Sequence, residues 1–324
     1  MAAVAAGADS VAEVARAKAR AAVVQDSIYF WLTLASAVLV VALLVGVIVS
    51  LVIGAWPALS TFGPAFLWTQ TWNPVKEIFG ALTPIYGTVV TSLIAMIIGI
   101  PVSFGIAVFL TELCPVPLRR PIGIAIELLA GIPSIIYGLW GFFFLAPFLQ
   151  STVQPALIGS LGKLPGIGLL FGGAPYGIGL LTAGIILAIM VLPFITSITR
   201  DVFLTVPTLL RESAYGMGMT TWEVVRSIII PYTRVGLVGG IMLGLGRALG
   251  ETMAVTFVIG NSHRIAASLI APSTTISASI ANEFTEATGE LYTSSLIALG
   301  LILFVITFGV LAIAKWLLIR TAVK

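Results

Sequence analysis

ESAYGMGMTTWEVVRSIIIP, residues 212–231, is a polar interval between two long apolar runs, and its punctuation is that of two helices and a turn. Thr220 and Glu223 stand at capping-box spacing, which starts a helix, and Pro231 terminates or kinks it. Gly216 and Gly218 allow a tight turn just before that start. The segment reads as helix–turn–helix at a membrane surface, with Tyr215, Met217, Met219 and Trp222 available for contacts. Pliable Met side chains beside a Gly turn suit a contact that must re-seat repeatedly.

The flanking runs set the class. Hydrophobic residues make up 59% of the chain and charged residues only 9%, where soluble domains carry roughly 25% charged residues. The protein is therefore an all-α integral membrane protein. A crossing helix needs about 20 apolar residues, and six segments meet that need: 28–54, 84–111, 122–149, 178–199, 235–259 and 294–318. The first is too long for a signal-peptide core and no small-residue cleavage site follows it, so it is read as retained.

Positive charge orients the bundle. With the N-terminus cytoplasmic, one side receives Arg16, Lys18, Arg20, Arg119, Arg120, Arg200, Arg211, Arg226, Arg234, Lys315, Arg320 and Lys324; the other receives only Lys76, Lys163 and Arg264. Both termini are expected inside. The net charge of +3 belongs to these membrane borders and does not indicate nucleic-acid binding. Three parts follow: a cytoplasmic tail over 1–27, a transmembrane domain over 28–318 with a cytoplasmic loop at 205–231, and a cytoplasmic end at 319–324. Ser10 and Glu13 have capping-box spacing, so the tail reads as a short helix or as a disordered segment. The outer connections 55–83, 150–177 and 260–293 are long; Trp56, Trp68 and Trp72 suit an interfacial belt or a landing surface for an external partner.

Much chemistry is excluded. The single Cys114 forms no internal disulfide or cysteine-rich metal site, and the single His263 leaves no histidine cluster. No P-loop is present: Leu157 and Leu164 occupy positions that need Gly and Ser or Thr around Gly162–Lys163. No catalytic residue, metal or cofactor is expected in this chain, and any nucleotide-derived power must come from another subunit.

The fifth apolar run has just two ionisable residues between 235 and 259, Arg247 and Glu251, inside GRALGETMAV (246–255). Four apart, they share one helix face and can pair. Each charge costs roughly 2.5–3.5 kcal/mol at midspan on insertion scales. Gly236, Gly240 and Gly244, then Gly246 and Gly250, have the small-xxx-small spacing that lets helices approach closely, so this face looks inward. Two roles fit: a buried lock between helices, or a path residue in which Arg247 meets an anion while Glu251 orients it and moderates its field. Arg suits phosphate-like oxyanions because its planar fork donates two parallel hydrogen bonds. Pro133 is expected to kink the third span, where Ser134 and Tyr137 could donate to a passing anion. Glu127 pairs with Arg119, Arg120 or headgroup water. His263–Arg264 reads as a solvated loop or an anion-attracting outer mouth.

Resemblance sharpens both stretches. Glu212, Ala214, Gly218, Ile228 and Pro231 fall on the EAA-loop spacing of ABC-importer permeases, with Ser213 at the second position and Ile230 in place of the usual Leu. GRALGETMAV and ELLAGIPSIIYGLWG (127–141) resemble the C-type permeases of phosphate-specific ABC importers over roughly 28–318. The resemblance implies a type I ABC-importer permease fold in a bacterial cytoplasmic membrane. It also implies a second, A-type permease subunit, two copies of an ATP-binding subunit and an external phosphate-binding protein, with Glu212, Ser213, Ala214, Gly218 and Pro231 at the ATPase contact. Sulfate and molybdate permeases share Arg-Ala-x-Gly-Glu and are the nearest alternative. A self-sufficient anion channel or ion-coupled carrier has no use for residues 212–231.

Overall fold

The structure, a computed structural model, describes the backbone of residues 2–322 and the side chains of residues 25–316 and 320. Helices account for nearly all regular structure among these residues. Six are long and apolar enough to cross a membrane: Gln25–Phe62, Leu82–Leu113, Ser134–Lys163, Leu180–Leu204, Thr221–Gly250 and Glu290–Trp316. They are called the first to sixth spans below.

The chain divides into two units, Met1–Ile53 and Gly54–Lys324. In the first, the tail backbone runs on as part of one helix, Ala2–Phe62, so Ser10 and Glu13 do not begin a helix; their side chains lie outside the described residues, as do those of Arg16, Lys18 and Arg20. From residue 28 to 53 the apolar side chains project on every face and stay exposed apart from the half-buried Ile48 and Leu51, which is how a helix facing hydrocarbon rather than a protein core is built.

In the second unit the fourth span is central, with Leu180, Ile186, Leu187, Met190, Val191 and Ile195 all fully buried. Glycines bring neighbours onto it. A Cβ at Gly236, Gly240 or Gly244 would stand 2.6–2.9 Å from Val202, Ile198 or Ile195, so the fifth span's first glycine row lies directly against the fourth span. The second row differs: Gly246 has only Leu311 near, and Gly250 has nothing within 4 Å.

Two spans differ from the sequence expectation, for backbone reasons. The expected third span, 122–149, is broken. A separate helix, Val116–Ala130, stops at Gly131, and Pro133 has extended backbone (φ −56°, ψ 136°) before the span restarts at Ser134. Pro disfavours helix in the residue before it, so Pro133 separates two helices rather than kinking one. The expected fifth span, 235–259, begins earlier, at Thr221, and ends at Gly250. Pro231 does not terminate it. A π turn at Val225–Ile229 precedes Pro231, and π turns at Phe109–Leu113, Gly141–Leu145 and Leu149–Val153 end two residues before Pro115, Pro147 and Pro155. Proline lacks an N–H and clashes with the carbonyl four residues back; a wider turn upstream moves that carbonyl aside.

Candidate functional site

The break at the end of the fifth span positions the two charges. Arg247 lies in the last helical turn, where a cation complements the helix's negative end. Glu251 lies beyond the helix in extended backbone (φ −69°, ψ 130°). The expected i,i+4 pairing is therefore absent: the Glu251 carboxylate instead accepts from the Ala254 amide at 3.3 Å, at the start of the short turn Met253–Thr256. The carboxylate thereby serves one of the amides left without an intrahelical partner at the start of that turn.

Arg247 takes a different neighbour. Its guanidinium stands 4.1 Å above the ring of Phe194 in the fourth span, a cation–π contact worth about 0.5–2 kcal/mol. Its Nε is buried with no hydrogen-bond partner among the described residues. A buried unpaired donor on a charged group costs more than about 1–3 kcal/mol. Sequence spacing could not find Phe194, because it is related to Arg247 only through helix packing.

Tyr137 is buried. Its hydroxyl donates to the Leu129 carbonyl at 2.9 Å, spanning the Pro133 break. That carbonyl belongs to a helix end whose last turn lacks intrahelical donors. Tyr137 is thus a clamp across the break, with its proton committed, rather than an open donor. Ser134 is half-buried at the first position of the third span. The two stretches that carried the resemblance touch: a Cβ at Gly138 would stand 3.1 Å from Ala254 Cα and 2.8 Å from Phe257.

The second candidate region is the loop between the fourth and fifth spans. Helix Thr208–Gly216 ends in a Schellman arrangement: Met219 N donates to Ala214 O, Gly218 N to Tyr215 O, and Gly218 takes φ +82°. Thr220 and Glu223 then form a reciprocal capping box. Ala214 is fully buried with Phe203, Val206, Val224, Val225 and Ile229. Glu212, Ser213, Tyr215, Met217, Gly218 and Trp222 face outward, whereas Met219 packs against that cluster and is not presented. Arg211, which the motif does not single out, anchors the helix: Nη1 lies 2.8 Å from Glu112 Oε1 and Nη2 donates to the Phe203 carbonyl.

Other charges settle as follows. Glu127 pairs with Arg200 at 2.8 Å, not with Arg119 or Arg120. His263 is not in a plain solvated loop: it stacks on Trp72 (5.2 Å between centroids) and lies 2.8 Å from Glu283. Glu283 also accepts from Trp72 Nε1 at 2.5 Å and Tyr292 at 2.7 Å. Burial pushes its carboxyl up, but the hydrogen bonds from His263, Tyr292 and Trp72 outweigh that and hold it below the usual carboxylate value. Trp72 therefore ties the two connections 55–83 and 260–293 together, while Trp56 and Trp68 remain exposed.

Comparison with known proteins gives consistent results. The family described as binding-protein-dependent transport system inner membrane component matches residues 99–322. The chain is 69% identical to the phosphate transport system permease protein PstC of Mesorhizobium japonicum, covering 91% of this chain and 90% of that protein. It is 59% identical to the PstC of Pasteurella multocida, covering 89% and 90%. Among solved structures, a bacterial alginate ABC transporter crystallised with an alginate-bound periplasmic protein aligns with TM-score 0.54 at 16% identity, over 85% of this chain and 92% of that one.

Proposed function

This chain belongs to the binding-protein-dependent transport system inner membrane component family, and from that membership we infer that it is the permease subunit of an ABC importer for inorganic phosphate. It is a multi-pass inner-membrane protein with no catalytic role; ATP hydrolysis belongs to a separate subunit, and an external binding protein delivers the ion. The observation that carries phosphate over sulfate or molybdate is the identity of 69% across nine-tenths of the chain to a phosphate permease.

Beyond that, we propose the following working arrangement. A second, A-type permease completes the path, two ATP-binding subunits dock on the loop at 205–231, and both termini face the cytoplasm. Glu212, Ser213 and Gly218 form the exposed part of the docking surface, while Ala214 seats the helix and Pro231 lies at the restart of the fifth span. Arg247 meets phosphate during passage: its unpaired Nε and its place at a mid-membrane helix end support this reading. Glu251 and Tyr137 hold two backbone breaks, and Ser134 lies at the one that Tyr137 spans. Discontinuous helices are where transporters commonly place ion sites.

Reconstituting the complex and following labelled phosphate, sulfate and molybdate with and without ATP tests this. ATP-dependent phosphate uptake is expected. Uptake without nucleotide would overturn the coupling scheme, and a preference for sulfate would overturn the substrate.

A further inference from the structure

A cavity of about 340 Å³ opens beside the loop at 205–231, between the end of the second span, the helix Val116–Ala130 and the end of the fourth span. Arg119, Arg120 and Arg200 line it, against one carboxylate, Glu127. Glu127 is already engaged by Arg200 at 2.8 Å, and Asp201 also meets Arg200, at 3.1 Å. No acidic partner reaches Arg119 or Arg120 among the described residues. Arg200 lies against the helix Val116–Ala130 at Gly123, where a Cβ would overlap its Nη1 and push the guanidinium aside. The remaining wall is apolar, and Ile124 and Leu204 are each about half exposed.

We propose that this cavity binds a phosphoryl oxyanion, presented as the headgroup of an anionic phospholipid or as free inorganic phosphate. Unneutralised guanidiniums recognise phosphate oxygens through parallel charge-assisted hydrogen bonds. The exposed Ile124 and Leu204 give acyl chains a continuous apolar approach to the same point, as in basic pockets between spans that hold lipid headgroups. The cavity adjoins the coupling loop's anchor: Thr111 precedes Glu112, and Leu204 follows Phe203, the two groups that hold Arg211. It is separate from Arg247, and its occupancy does not depend on which anion the path carries.

The test uses the assembled complex at rest, without ATP or external binding protein. One arm places it in nanodiscs of phosphatidylcholine alone or of equal parts phosphatidylcholine and phosphatidylglycerol, and counts retained phosphatidylglycerol by native mass spectrometry. The other measures labelled inorganic phosphate by equilibrium dialysis in the phosphatidylcholine discs. Retained phosphatidylglycerol is expected, weakened roughly thirtyfold in Arg119→Gln/Arg120→Gln. Arg119 Nε also donates to the Cys114 carbonyl at 2.8 Å, so the exposed Arg120→Gln serves as a second variant, with a roughly fivefold loss. Free phosphate bound in place of lipid, and lost in the same variants, would support the site and assign its source. Neither ligand bound, or binding indifferent to both variants, would overturn it. Arg247→Gln should bind as wild type, so a failure of the transport reading leaves this result legible.

Discussion

The Glu112–Arg211 pair offers the sharpest test of how the coupling loop is held. The two side chains are 4% and 15% exposed, so removing either leaves the other buried and uncompensated. Breaking a buried pair in this way costs about 3–5 kcal/mol. At about 1.4 kcal/mol per decade, Glu112→Leu or Arg211→Met should raise the undocked population of helix Thr208–Gly216 on the order of 10²–10³-fold. The double variant should be milder than either single, because an apolar pair leaves no stranded charge. It still frees the Phe203 carbonyl, at about 1–3 kcal/mol, so it should fall short of wild type. Hydrogen exchange of the 208–216 amides in the reconstituted complex reads the docking equilibrium directly, and binding-protein-stimulated ATPase activity reads its consequence. Single variants that exchange at the wild-type rate, or a double variant in which the two losses add, would refute the anchoring argument.

Arg247→Gln should abolish phosphate uptake while the complex still co-purifies; loss of assembly instead would make Arg247 a structural lock. Gly218→Ala should destabilise the turn by about 1–2 kcal/mol because of its positive φ, but nothing lies within 4 Å of the new Cβ, so any larger loss in coupled ATPase activity for Gly218→Asp measures the partner surface. Gly236→Ala should lower the melting temperature through about 1–3 kcal/mol of overpacking against Val202, whereas Gly239→Ala, with open space around it, should not. Glu283 has a depressed carboxyl pKa, so its contribution is present above the ordinary carboxylate value, about 4.3, and is lost as pH falls through its lower folded value; Trp72 fluorescence should report that acid transition, and Glu283→Gln should remove it.

Periodicity and apolar length were enough to read the helical class, the number of spans and a close helix approach at Gly236, Gly240 and Gly244, but not that the fourth span is what they meet or that Gly246 and Gly250 meet almost nothing. They misplaced the ends of the third and fifth spans, because an apolar run does not reveal where its backbone hydrogen bonds stop. Gly131–Pro133 and Gly250–Glu251 sit inside oily sequence, and only the geometry of caps and carbonyls shows that helices end there. The capping box at Thr220–Glu223 was legible because its two hydrogen bonds are local. The contacts Arg247–Phe194, Arg211–Glu112 and Glu127–Arg200 were not, since each joins residues from separate helices. The same limit made Arg247 and Glu251 look like partners: four residues apart is one face only while the helix continues.

The connectivity now links the two candidate regions without a long relay. Phe194 lies on the fourth span and Arg247 on the fifth, and the loop at 205–231 comprises the segment that joins those two spans, 205–220, and the start of the fifth. Between loop and charge, contact is carried by the glycine row, where Gly236, Gly240 and Gly244 meet Val202, Ile198 and Ile195. Packed cores shift between discrete arrangements more readily than they deform. A row without side chains is where one helix can slide on another with least steric cost. On the arrangement proposed above, a displacement applied at Ala214 and Arg211 would pass along this interface to the Arg247–Phe194 contact. Loosening that contact would expose the guanidinium, whose Nε has no acceptor among the described residues, and re-forming it would withdraw the charge. A bulky residue in the row, such as Gly240→Leu, should thus uncouple ATP hydrolysis from uptake while leaving Arg247 and the docking surface chemically intact; a complex that assembles with this variant and transports at the wild-type rate per ATP would show that the signal takes another route.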